Sequence, residues 1–181
     1  MKLNRLNVWI ATLALLIAAP VWAAVDQGHL EEYGKGIIED YSNMEHGDLE
    51  WVWIAPGINL SEYKIDVGEF ENLSEAYDGD MMETLNEGMR KALERMAPDS
   101  PKGTLTTENA VFWAERANSA KRWIPFAGGH VAQAGVGLEM VFRNSEGEVV
   151  AKLRHSGREG SRLSDAAWEL IDEIADWAHS H

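Results

Sequence analysis

Residues 131–153 constrain the fold more than any other stretch. Val136, Leu138, Met140 and Phe142 alternate with Gly135, Gly137, Glu139 and Arg143, the period of a strand with one buried face. Asn144-Ser145-Glu146-Gly147 then supplies turn chemistry. The chain returns as Val149, Ala151 and Leu153, alternating again. Two strands joined this way form an antiparallel hairpin with one apolar face. Such a hairpin is marginal alone and needs a second layer over that face.

Two amphipathic stretches can supply the cover. Over 162–179, Leu163, Ala166, Ala167, Leu170, Ile171, Ile174 and Trp177 share a stripe, as a core-facing helix requires. Over 80–96, Met82, Leu85, Met89, Leu93 and Met96 do the same. Asp80 and Glu83 form a capping-box-like start, and Pro98 marks the stop. The methionines of that stripe read as flexible core packing rather than a soft-metal surface.

Further strands are predicted. Trp51-Val52-Trp53-Ile54 is stopped by Pro56-Gly57; Tyr63, Ile65 and Val67 alternate with polar neighbours; 104–116 is rich in Thr, Val and aromatics. The order predicts an α+β, two-layer fold: a mixed sheet of four to five strands with two long helices on one face. The first strand–helix–strand unit can cross over in parallel, and the later strands form a meander. Leu30, Tyr33, Ile37 and Tyr41 fall at roughly helical spacing, but Gly34 and Gly36 weaken a helix. That region reads as a short helix or an ordered arm. The expected organisation is a leader over 1–23, an N-terminal arm with a short helix and strand over 24–60, and a single α/β domain over 61–181.

The leader rests on Lys2 and Arg5, an apolar run from Val8 to Ala19, Pro20, and Val21-Trp22-Ala23 as the cleavage-site tripeptide. That is the pattern of a secretory signal peptide cut after Ala23. The run is shorter than the roughly 20 residues of a spanning helix. The predicted location is therefore periplasmic. A lipoprotein would carry a cysteine after the cut; this chain has Ala24, and no cysteine anywhere. Cleavage would leave 158 of the 181 residues and move the formal charge from −14 to −16. Such a charge disfavours nucleic acid and anionic lipid.

No G-x-S-x-G elbow, P-loop, H-E-x-x-H or cysteine nucleophile is present. No catalytic residue, cofactor or metal site is expected. His179 and His181 read as a frayed terminus, His46 as part of a charged loop. Glu31-Glu32 and Glu69/Glu71 read as solvated faces, because they lack the ligand spacing of a calcium loop. Two segments remain. Arg154 and Arg158 lie in a basic, glycine-containing stretch before the last helix, where exposed N–H groups favour anions. Arg122, Trp123 and Phe126 lie in a predicted loop, 117–130, whose aromatics suit a partner contact.

Arg122-Trp123-Ile124-Pro125-Phe126-Ala127-Gly128-Gly129, the strand to Phe142 and Gly147-Glu148-Val149-Val150-Ala151 together resemble a pattern in uncharacterised proteobacterial envelope proteins and lipoproteins. Tyr63-Lys64-Ile65-Asp66-Val67-Gly68-Glu69-Phe70 resembles their opening strand. Gly36-Ile37-Ile38-Glu39-Asp40-Tyr41-Ser42 is similar to a signature of a related lipoprotein family. The likeness covers most of residues 36–160. It implies a single α/β envelope domain of unassigned function and supplies no catalytic residues. The expected function is thus an exported, non-enzymatic accessory protein that binds a protein partner in the envelope. A small-anion binding protein using Arg154 and Arg158 is the first alternative, and a metal-dependent hydrolase the second.

Overall fold

The computed structural model describes residue 30, residues 33–118 and residues 132–181. The leader and the segment containing Arg122, Trp123 and Phe126 lie outside the described residues. Five strands form one mixed sheet: β1 (Trp51–Ile54), β2 (Lys64–Asn72), β3 (Thr104–Glu115), β4 (Ala134–Arg143) and β5 (Val149–Glu159), in the order β1-β5-β4-β3-β2. β2 pairs in parallel with β3, and β3, β4 and β5 form an antiparallel meander, as expected. β1 closes the other edge, antiparallel to β5.

The predicted alternation has its physical cause in the two layers, except at Val149: a bulge beside the turn sends Val149 to the arm side and Val150 into the main core. Val136, Leu138, Met140 and Phe142 of β4 join Ala151 and Leu153 of β5 in the main core. Leu163, Ala167, Leu170, Ile171 and Ile174 of the last helix, α3 (Leu163–Ser180), cover them. The other long helix packs on the same face. It runs as α1 (Gly79–Glu83), a π turn (Thr84–Gly88) and α2 (Met89–Arg95). The π turn was not legible locally. The buried residues Met81, Leu85, Met89 and Leu93 recur every four positions, which an unbroken 3.6-residue helix would rotate off the core. One wider turn restores the stripe. The helix cap also differs from expectation. Asp78, with extended backbone, accepts from the Met81 N–H at 3.1 Å, so the cap falls two residues before Asp80.

The opposite face of the sheet is covered by the N-terminal arm. Leu30, Ile38 and Met44 form a second cluster with Trp51 and Val141. Leu30 and Tyr33 are helical, and residues 34–47 turn without helix. Glu45 and Val52 exchange backbone hydrogen bonds of 2.8 and 2.9 Å, blunting the exposed edge of β1. Another departure concerns residues 154–159. The basic, glycine-containing stretch before the last helix continues β5, because β4 reaches back to Ala134 and offers each of these residues a partner, ending with Ala134 opposite Glu159. No helix among the described residues is long and apolar enough to cross a membrane.

Candidate functional site

Because side chains alternate along a strand, Lys152, Arg154, Ser156 and Arg158 of β5 all face the arm. Each cation meets an aromatic ring, Lys152 one from the adjacent β1 and the two arginines one each from β3, across β4. The Lys152 ammonium stands 5.2 Å from the centre of the Trp53 ring, the Arg154 guanidinium 3.5 Å from Phe112, and that of Arg158 4.6 Å from Trp113. A bulge in β3 makes this possible: Val111 pairs with Leu138 but Trp113 with Gly137, so one extra residue is inserted and two successive aromatics serve one face. Glycines across the sheet leave room for them. A Cβ on Gly137 would come within 2.5 Å of the Phe112 ring, and one on Gly135 would run into Trp113.

Arg154 is completely buried. It donates to Glu139 Oε1 at 2.5 Å and to the Gly34 carbonyl at 2.8 Å. Glu139, equally buried, also accepts from the Ile38 N–H at 2.9 Å and the Tyr41 hydroxyl at 2.7 Å. The pair therefore ties the arm to the sheet through three hydrogen bonds. Burial, and next the negative charge of Glu139, push the Tyr41 hydroxyl well above its ordinary pKa. Gly36 belongs to the same arrangement, since any side chain there would collide with the Glu139 carboxylate. Arg158, partly exposed, pairs with Glu115 at 2.6 Å. So β5 brings the two predicted arginines onto one face, and both are engaged inside the fold.

The accessible part of this face lies farther along. Between arm residues 37–43 and the sheet is a groove of about 290 Å³, floored by Val141, Val149 and Trp53 and edged by Lys152 and Arg143. Lys152 donates to the Asp40 carbonyl at 2.5 Å and to Asn43 Oδ1 at 2.7 Å. Burial lowers its pKa from the ordinary lysine value, and Asp40 opposes that shift. Arg143 holds Glu108 in a two-pronged pair at 3.0 and 3.2 Å. Such a mixed apolar and polar groove can seat an extended segment or a small ligand. Sequence reasoning passed over Trp53, Lys152 and Glu139. The alternation of β4 puts Glu139 on its polar side, but a bulge beside the turn, between Phe142 and Arg143, shifts the ladder by one residue, and only with that shift does Glu139 lie opposite Arg154.

The remaining sequence candidates are dispersed. Glu69 and Glu71 are exposed on the edge strand β2. His46 packs edge-on against Trp51, with ring centres 5.5 Å apart. The chain end is docked: Leu60 N–H donates to the His181 carbonyl at 2.9 Å, so the expected fraying is not seen at His181. Among the described residues no group of three or more His, Cys, Asp or Glu could hold a metal ion.

No family model matches the chain, and no curated protein matches it. Solved structures do show likenesses. A methionine variant of PelC from Paraburkholderia phytofirmans, a dodecamer, aligns with a TM-score of 0.45 at 16% identity, over 72% of this chain and 95% of that one. Another PelC dodecamer from that organism gives 0.41 at 17% identity, over 68% and 92%. A provisionally assigned lipoprotein from Caulobacter crescentus gives 0.33 at 13% identity, over 67% and 90%. All three scores fall short of one half, and at these identities the likenesses carry no argument about what this chain does.

Proposed function

We propose that this chain is an exported accessory protein of the cell envelope that binds another envelope component and performs no chemistry of its own. The secretory pattern of residues 1–23 and the lack of a catalytic motif support the reading. The observation that carries it is the groove between the arm and the sheet. Trp53 gives it an apolar floor, and the Lys152 ammonium spends only two of its three N–H donors on Asp40 and Asn43. A tryptophan beside a cation is the composition of an interface hot spot. Arg122, Trp123 and Phe126 are included as proposed contacts on sequence grounds alone. The alternative, small-anion binding through Arg154 and Arg158, is weakened because Arg154 has no exposed surface and both arginines already pair with carboxylates.

Site-specific photo-crosslinking from position 37 in growing cells tests the reading. A discrete adduct with one envelope component is expected, and Trp53→Ala should abolish it with the circular dichroism spectrum unchanged. Trp123→Ala and Phe126→Ala should each weaken it. An adduct indifferent to Trp53→Ala would remove the groove from the proposal. Stabilisation by phosphate or simple carboxylates in a thermal-shift titration would restore the anion reading.

A further inference from the structure

Trp168 breaks the pattern of α3. It lies on the outer side of the helix and is 49% exposed, the most exposed tryptophan among the described residues. It stands over the π turn, against Gly88: a Cβ on that glycine would lie 3.1 Å from the Trp168 ring and 2.7 Å from Ile171 Cδ1. Shallow clefts of about 430 and 370 Å³ flank the ring. The charge around it is ordered. Asp80, Glu83 and Glu87 line one cleft, relieved there by Arg162 and Lys91. Lys91 and Arg95 line the other, relieved only by Glu94. The helical run from 79 to 95 thus passes from acid to base, with Gly88 and Trp168 at its middle.

We propose that this face binds a second copy of the same chain about a two-fold axis passing near Trp168 and Gly88. A two-fold interface requires a patch complementary to itself. Laying the 79–95 run antiparallel on its own copy sets Glu83 of one protomer against Arg95 of the other, and brings together the two Glu87–Lys91 pairs, each closed within its own chain at 2.8 Å, so that each Glu87 also meets the other protomer's Lys91. The two indole rings then meet at the centre, where a large aromatic contributes most. The molecule carries a formal charge of −14, so two copies repel each other on average, and a surface on which opposite charges are arranged to meet offsets that repulsion. The surface lies on the helix side of the sheet, away from the arm groove, so it is independent of the function proposed above.

Sedimentation velocity on the purified protein reads the association directly. Wild type is expected to dimerise, with the dissociation constant raised at least about tenfold by Trp168→Ala. Reversing one end, with Glu83→Arg and Glu87→Arg, or the other, with Lys91→Glu and Arg95→Glu, should leave each variant monomeric. These positions are exposed, and circular dichroism checks that each variant is folded. Mixing the two variants should restore a heterodimer, since the changed ends are then opposite in sign. A wild type that stays monomeric at about 100 µM, where even a weak contact registers, would overturn the proposal. So would a dimer untouched by Trp168→Ala, or a mixture that associates no better than its components.

Discussion

Arg154 and Glu139 show how one charged pair can serve as structure. Neither has solvent-exposed surface, so each was desolvated on folding, a cost their mutual attraction offsets only when further hydrogen bonds fill the remaining positions. Gly34, Ile38 and Tyr41 supply three such bonds, and Arg154 Nε is left buried without one. Removing one partner of such a pair strands the other, so Arg154→Ala should lower the unfolding free energy by about 3–5 kcal/mol in urea titration. Tyr41→Phe removes a single bond to a charged acceptor and should cost about 1.5–3 kcal/mol at neutral pH. Its pH dependence has a definite sign. The Tyr41 pKa is raised above its ordinary value of 10.0. The stabilisation is therefore complete below pH 10 and is lost as pH rises through the folded-state value. The gap between wild type and Tyr41→Phe should narrow in alkali.

At the scale of elements, α3 is held at its start by a device with a definite pH window. Asp165 accepts from the Ser161 and Arg162 N–H groups at 3.2 and 3.1 Å, two donors the helix itself cannot satisfy. It also pairs with the Arg162 side chain at 2.6 Å. The bond to the Arg162 side chain, and then that to its backbone, hold the Asp165 pKa below the ordinary 3.8. A depressed carboxylate stabilises the fold above its unfolded pKa and loses that contribution as pH falls through the folded value. The stability difference between wild type and Asp165→Asn should thus be full at neutral pH and shrink below about pH 4. Both helices and the hairpin were legible as elements because their signals are local: a stripe, a turn tetrad, an alternation. The π turn and the β3 bulge were not. Each is set by what the element packs against, Ile171 and Trp168 for one and Gly137 for the other.

At the scale of the molecule, charge and edges matter most. The formal charge of −14 works against compactness through self-repulsion. Salt shortens the reach of that repulsion from about 30 Å at 0.01 M to about 8 Å at 0.15 M. The thermal midpoint should therefore rise over that range of sodium chloride; a fall would mean that ion pairs outweigh the repulsion. The edge strand β2 places Lys64, Asp66, Glu69 and Glu71 at exposed positions, a guard against pairing with other chains.

The chain's periodicities by themselves determined that this is a mixed α+β sheet with two helices on one face, since alternation and helical spacing are properties of neighbouring residues. They did not determine the hairpin register: beside the turn Arg143 faces Val149, and a bulge there shifts the rest of the ladder by one residue, which is what sets Glu139 opposite Arg154. Only the tertiary structure decided what those arginines do. The basic, glycine-containing sequence around Arg154 suggests a free anion ligand. Its actual surroundings come from an arm more than a hundred residues away, with Gly34 120 positions distant and bonded to it. No local pattern encodes that approach. The burial of both sheet faces brings it about, and the same burial turns Arg154 from a candidate ligand into the anchor of the arm.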